Sequence, residues 1–254
     1  MKALKFKLSG KTAFFKKPEV NSYLYFTYGN IHKVSLLGMF GAILGYGGYN
    51  QHRYMLDNIK GYKESYPEFY SKLNKLKVSI EPLNEKAYIP KKVQFFNNSL
   101  GYCNKDKDEK PCNLIVKEQW LENPKWNIYI LIDNEEANKL CDYIVNYKSI
   151  YQPYLGKNDH YANITDIELY DNIQCTCDDD ISKIHSLCPK KYIEFDMEDD
   201  EEEDLFKYSE RLPVALSERT NMYELESFVF SNMCIDSITA RDIYEIDEKN
   251  IVFF

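Results

Sequence analysis

Residues 5–49 read KFKLSGKTAFFKKPEVNSYLYFTYGNIHKVSLLGMFGAILGYGGY. Together with the residues just before it, the stretch opens as a strand with one wet face. Leu4, Phe6 and Leu8 fall on one side and Lys5 and Lys7 on the other, the period of two that marks a half-buried strand. It closes as a buried helix over residues 31–44, carrying Val34, Leu37, Ile43 and Leu44, with Gly45, Gly47 and Gly48 as its stop signal. The long loop between them interleaves Phe14, Phe15, Tyr23, Tyr25, Phe26 and Tyr28 with Lys11, Lys16, Lys17, His32 and Lys33. Lysines offer point charges to phosphates, and rings offer bases a stacking surface worth about 1–3 kcal/mol per base, so the combination suits single-stranded RNA. A tyrosine-rich loop packed on a sheet has the same composition.

Outward from this stretch, residues 75–83 place Leu76, Val78 and Ile80 in a second alternating strand. Residues 87–96 and 113–120 pair as a long hairpin arm whose tip, 97–112, is polar and lysine-rich. A third strand spans 126–132. Asp133 then stands three residues before Glu136, a capping-box-like start to a helix with Ala137, Leu140, Cys141 and Ile144 on one stripe. A fourth strand covers 164–170. The order strand, helix, strand, inserted hairpin, strand, helix, strand predicts an α+β, ferredoxin-like (RRM-like) domain over residues 1–170. Residues 171–254 predict a smaller β-rich C-terminal lobe, with strands at 192–197, 223–230 and 243–254 and a solvated acidic run at 198–204. Many enzymes and binding proteins share this order, so function has to come from the site.

Charge narrows the ligand class. The net value of −8 hides a division: residues 1–120 carry 20 Lys and Arg against 10 Asp and Glu, whereas residues 121–254 carry 12 against 30. That asymmetry predicts an anionic ligand for the first half and protein neighbours or solvent for the second. Seven cysteines, without a regular framework or a signal sequence ahead of them, predict a reducing cytoplasm. The longest nearly unbroken apolar stretch, residues 34–46, is 13 long where a spanning helix needs roughly 20, so no membrane segment is expected. Cys175, Cys177 and Cys188 with His185 invite a zinc reading, but C-x-C spacing fits zinc poorly. No metal or cofactor is expected. The glycine series Gly38, Gly41, Gly45, Gly47 and Gly48 lacks the spacing of a P-loop or dinucleotide fingerprint. Tight helix packing suits Gly38 and Gly41, and backbone contact with RNA suits Gly45 to Gly48.

The segment 5–49, with YLGKNDHYANI at 154–164 and ERLPVAL at 210–216, resembles the CRISPR-associated protein 5 family, type I-B (Hmari) branch, of the RAMP superfamily. The resemblance implies a ferredoxin-like domain with a β-hairpin thumb at 87–120 and a variable C-terminal lobe. It further implies a non-catalytic subunit of the Cascade effector complex that holds the 5′ handle of crRNA, caps the backbone filament and adjoins the large subunit, with target DNA reached indirectly. Carried onto this chain, the handle contacts implied are Lys11, Phe14, Lys16, Lys17, Asn21, Ser22, His32, Lys33, Gly45, Gly47 and Gly48, with Lys157. Lys91, Lys92, Lys105, Lys107 and Lys110 of the thumb would lie over the RNA, with Lys91 and Lys92 among its contacts. A related type I-C branch cleaves precursor crRNA with a Tyr, a Lys and a His. That alternative, a metal-independent endoribonuclease, would draw on His32, Lys33 and Tyr46.

Overall fold

Alternation in the first residues builds β1 (Lys2–Ser9), with Leu4, Phe6 and Leu8 fully buried. The computed structural model describes residues 1–20, 22–99, 113–176, 181–196 and 204–254. β2 (Thr12–Ala13) follows, then α1 (Lys33–Leu44), α2 (Tyr49–Asn58) and α3 (Glu68–Leu73). Next come β3 (Val78–Pro82), the arm strands β4 (Lys91–Ser99) and β5 (Asn113–Glu122), β6 (Lys125–Ile132), α4 (Glu135–Val145) and β7 (Asn163–Tyr170). A four-stranded antiparallel sheet runs β3-β6-β1-β7. Its register sets Leu4 opposite Ile130, Phe6 opposite Ile128 and Leu8 opposite Trp126, so one apolar face is continuous across the central strands. α1 packs on that face, Phe40 meeting Phe6 edge to face at 6.3 Å, and also touches α3 and α4.

The arm pairs β4 with β5 from Lys91–Leu121 out to Ser99–Asn113. At its base β2 joins the other side of β5, giving the order β2-β5-β4. Its tip lies outside the described residues, and with it Lys105, Lys107, Lys110, Cys103 and Cys112. The remaining chain supplies β8 (Gln174–Cys175), β9 (Cys188–Pro189), β10 (Ile193–Phe195), β11 (Lys207–Leu216), β12 (Tyr223–Ser231), β13 (Ile235–Ile238), β14 (Ile243–Ile246) and β15 (Lys249–Val252). They form three small sheets, β11-β12-β9, β15-β14-β8 and β10-β13. Leu212, Leu216 and Phe228 of β11 and β12 belong to the same apolar cluster as β1 and α1.

Several boundaries differ from the sequence reading. The second large helix is capped by Asn134 and not Asp133: Asn134 has extended backbone and its side chain accepts the Ala137 N–H at 2.9 Å. The expected strand over 243–254 is two strands, since Asp247 and Glu248 adopt left-handed φ of 53° and 61° and turn the chain. The strand expected at 192–197 begins at Ile193; Met197 and acidic residues 198–203 lie outside the described residues. α2 and α3 were not foreseen: α2 buries only His52, so it leaves no apolar stripe to read. Among the described residues no helix is long and apolar enough to cross a membrane.

Candidate nucleic-acid interface

The aromatic loop is stitched to the base of the arm. Tyr25 donates its N–H to the Lys117 carbonyl and accepts from the Gln119 N–H, both at 2.9 Å, and pairs as a parallel bridge with Glu118; Lys16 pairs with Thr27. These bonds close one side of a half-open cavity of about 340 Å³. The loop lines it with Phe14, Phe15, Lys16 and Tyr25, β5 with Glu118, and the segment before β7 with Gly156 and Lys157. The start of α1 and Tyr223 of β12 complete the wall. Gly156 (φ 86°) runs so close to the loop that a Cβ there would stand 2.0 Å from the Phe14 carbonyl oxygen, which explains a glycine at that position.

Two cations face this cavity. The Lys16 ammonium lies 3.9 Å from the centre of the Tyr25 ring, a cation–π contact, and Lys157 donates to both oxygens of Glu118 at 3.0 and 3.1 Å. Glu118 also accepts the Trp120 indole N–H at 2.9 Å. Its side chain is 7% exposed, and Lys157 is its countercharge.

The other expected contacts are placed as follows. Lys11 and Lys91 are exposed, on strands or turns flanking the end of β5. Lys92 lies 3.5 Å from Glu122 and over the Trp120 ring, and Ser22 is exposed. Asn21 lies outside the described residues. Lys17 is engaged by Glu210 at 3.1 Å, and Glu210 also takes the Gly29 N–H. Phe14 is buried.

His32 turns inward: at 1% exposure it caps α1, its Nδ1 accepting the Ser35 N–H at 3.2 Å, ringed by Phe15, Tyr28 and Tyr223. Burial pulls its pKa down to about 3. Lys33 donates to the Phe254 carbonyl at 2.9 Å, and burial with the nearby Lys77 charge lowers it to about 8.

Gly45 is the left-handed C-cap of α1 (φ 79°), Gly47 gives its N–H to Glu68, and Gly48 caps α2. Tyr46, the third group named for RNA cleavage, donates to Glu136 and accepts from Lys139. His32, Lys33 and Tyr46 are thus each held by different partners.

Cys188 is buried, and Cys175 is exposed; Cys177 lies outside the described residues. His185 Nδ1 accepts the Asn250 N–H at 3.2 Å. Among the described residues no group of three His, Cys, Asp or Glu is arranged to hold a metal.

No family model matches the chain, and no curated protein does. Solved structures do match. A chain of a CRISPR RNA-guided surveillance complex superposes with a TM-score of 0.51 at 12% identity, over 92% of this chain and 90% of that one. A CRISPR protein from Archaeoglobus fulgidus superposes at 0.50 and 12%, over 99% of both. The chain shares the fold of these CRISPR proteins. Residues that the sequence reading did not single out, Glu118, Gly156 and Tyr223, sit in the cavity beside Lys16 and Tyr25. Glu118 is an isolated acid between Lys117 and Gln119, with no local pattern to mark it.

Proposed function

We propose that this chain is a non-catalytic subunit of a type I-B CRISPR Cascade complex, of the CRISPR-associated protein 5 family. In that role it holds the 5′ handle of crRNA, caps one end of the backbone filament beside the large subunit, and acts in the cytoplasm. The observation that carries the reading is the convergence of Lys16, Tyr25 and Lys157, from segments far apart in sequence, on one half-open cavity beside the hairpin arm. Cations for phosphates next to rings for bases are what an unpaired strand requires. The strand order β3-β6-β1-β7, with α1 and α4 as its connections, supports the ferredoxin-like reading, and β4–β5 is the thumb. The motif resemblance supports the choice of complex, and the shared fold is consistent with it.

Replacing Lys16 and Lys91 together by Glu tests the grip. The assembled complex is expected to lose most of its copurifying crRNA, while the purified variant keeps the unfolding midpoint of the parent. Unchanged RNA retention would remove the proposal. Incubation with repeat-containing precursor RNA in EDTA tests the non-catalytic part, with intact RNA as the expected result; cleavage at one repeat position would refute it.

A further inference from the structure

Glu118 is an unexpected group to find in the wall of a cavity meant for a polyanion. A carboxylate repels phosphate, so its presence there calls for a ligand group that donates hydrogen bonds. Its acceptor sites are partly taken: Lys157 donates to both oxygens and Trp120 to Oε2. A carboxylate offers about four acceptor sites, so Oε1 keeps room for a donor, and Oε2 regains it if one Lys157 bond moves away. The wall thus presents a lysine N–H next to two carboxylate oxygens, fixed between aromatic side chains in a space of about 340 Å³.

Building on the reading that this cleft holds single-stranded RNA, we infer that it takes one splayed-out nucleobase and selects guanine through Glu118 and Lys157. The pairing edge of guanine runs O6 acceptor, N1–H donor, N2–H donor. Glu118 accepts N1–H and N2–H, and Lys157 exchanges one of its two bonds to Glu118 for a bond to O6. The other bases leave a mismatch. Uracil sets a carbonyl on each side of its single N–H, so one carbonyl faces a carboxylate oxygen. Adenine and cytosine set one amino donor beside one ring-nitrogen acceptor, so they can meet one carboxylate oxygen and Lys157 but leave the second oxygen without a donor, one bond fewer than guanine. Unpaired bases are commonly read in this way, by stacking on rings and by bonds to the pairing edge. Tyr25 and Tyr223 supply the rings, and Lys16 is placed for the flanking phosphate.

The test compares short oligouridylates, with guanosine, adenosine, cytidine, inosine or uridine at the central position, by fluorescence polarisation against the purified full chain. Guanosine is expected to bind about 10- to 100-fold tighter than uridine, the range for hydrogen bonds to a charged group. Inosine, which lacks the N2 amine, is expected to lose about tenfold of that gain on the unaltered protein. Glu118→Gln, which keeps the size of the side chain but makes one oxygen an amide donor, is expected to abolish the preference for guanosine over uridine. Equal affinity for every central base, or a guanosine preference that survives Glu118→Gln, overturns the selection while the RNA-binding reading stands. Failure of all five oligonucleotides to bind overturns both.

Discussion

His32 sits at the junction of a basic loop and a buried helix, where its type fits either a phosphate or a cap. The fold decides for the cap: the neutral ring accepts the Ser35 amide, and protonation at Nδ1 would turn that acceptor into a donor. The folded value of about 3 lies below the ordinary value of about 6.5. The unfolded chain therefore binds a proton that the folded chain refuses, so this contribution to stability is present above about pH 6.5 and is lost as pH falls toward 3. The slope reaches about 1.4 kcal/mol per pH unit. Burial lowers His160 and His185 as well, with the same sign. His32→Asn, which keeps a preferred capping side chain, is expected to remove close to one proton from the pH dependence of urea unfolding between about pH 6.5 and 4. An unchanged slope would show that the ring titrates freely in the folded chain. Nothing local in the sequence distinguishes His32 from Lys16, because the rings that enclose the imidazole include Tyr223 from a distant strand.

At the scale of elements, α1 was legible because its apolar residues and glycine stop are local signals. The same helix shows what was not legible. Gly38 and Gly41 look alike in sequence, and helical spacing alone suggests close packing at both. A Cβ on Gly41 would stand 2.5 Å from Phe69 Cβ of α3, whereas one on Gly38 would meet nothing within 4 Å. Gly38→Ala is therefore expected to raise stability by about 0.5–1 kcal/mol through lower backbone entropy in the unfolded chain. Gly41→Ala gains the same propensity but forces α3 away, and a net loss of about 1–3 kcal/mol is expected. Thermal unfolding of the two variants side by side checks the pair, and equal shifts would mean that α3 does not rest on Gly41. The arm strands were legible as two segments flanking a polar, lysine-rich tip. α2 was not, since its sequence YNQHRYMLDN leaves Tyr54, Met55 and Leu56 exposed and buries only His52.

Across the whole molecule the two halves of opposite charge do not stand apart as the sequence suggests. Carboxylates of the second half reach back to lysines of the first: Asp171 to Lys2, Asp247 and Glu168 to Lys5, Asp166 to Lys7, Glu210 to Lys17 and Asp242 to Lys77. The more exposed of these pairs, such as Lys2–Asp171 and Lys7–Asp166, are worth about 0–1 kcal/mol each and contribute little to stability, but each pair cancels a cation that composition counted toward the basic half. Charge segregation was readable in one dimension; its cancellation depends on which strands become neighbours. Lys11 and Lys91, exposed beside the base of the arm, have no ion pair among the described residues. A single strand releases about 0.7 counterion per neutralised phosphate, so the slope of log affinity against log salt counts the lysines in contact. Lys11→Ala with Lys91→Ala is expected to reduce the magnitude of that slope for an oligouridylate by about 1.4. Lys2→Ala with Lys7→Ala removes the same formal charge from paired positions and is expected to leave the slope unchanged. Equal losses from the two double variants would mean that RNA senses net charge alone and that the cleft has no privileged place in its recognition.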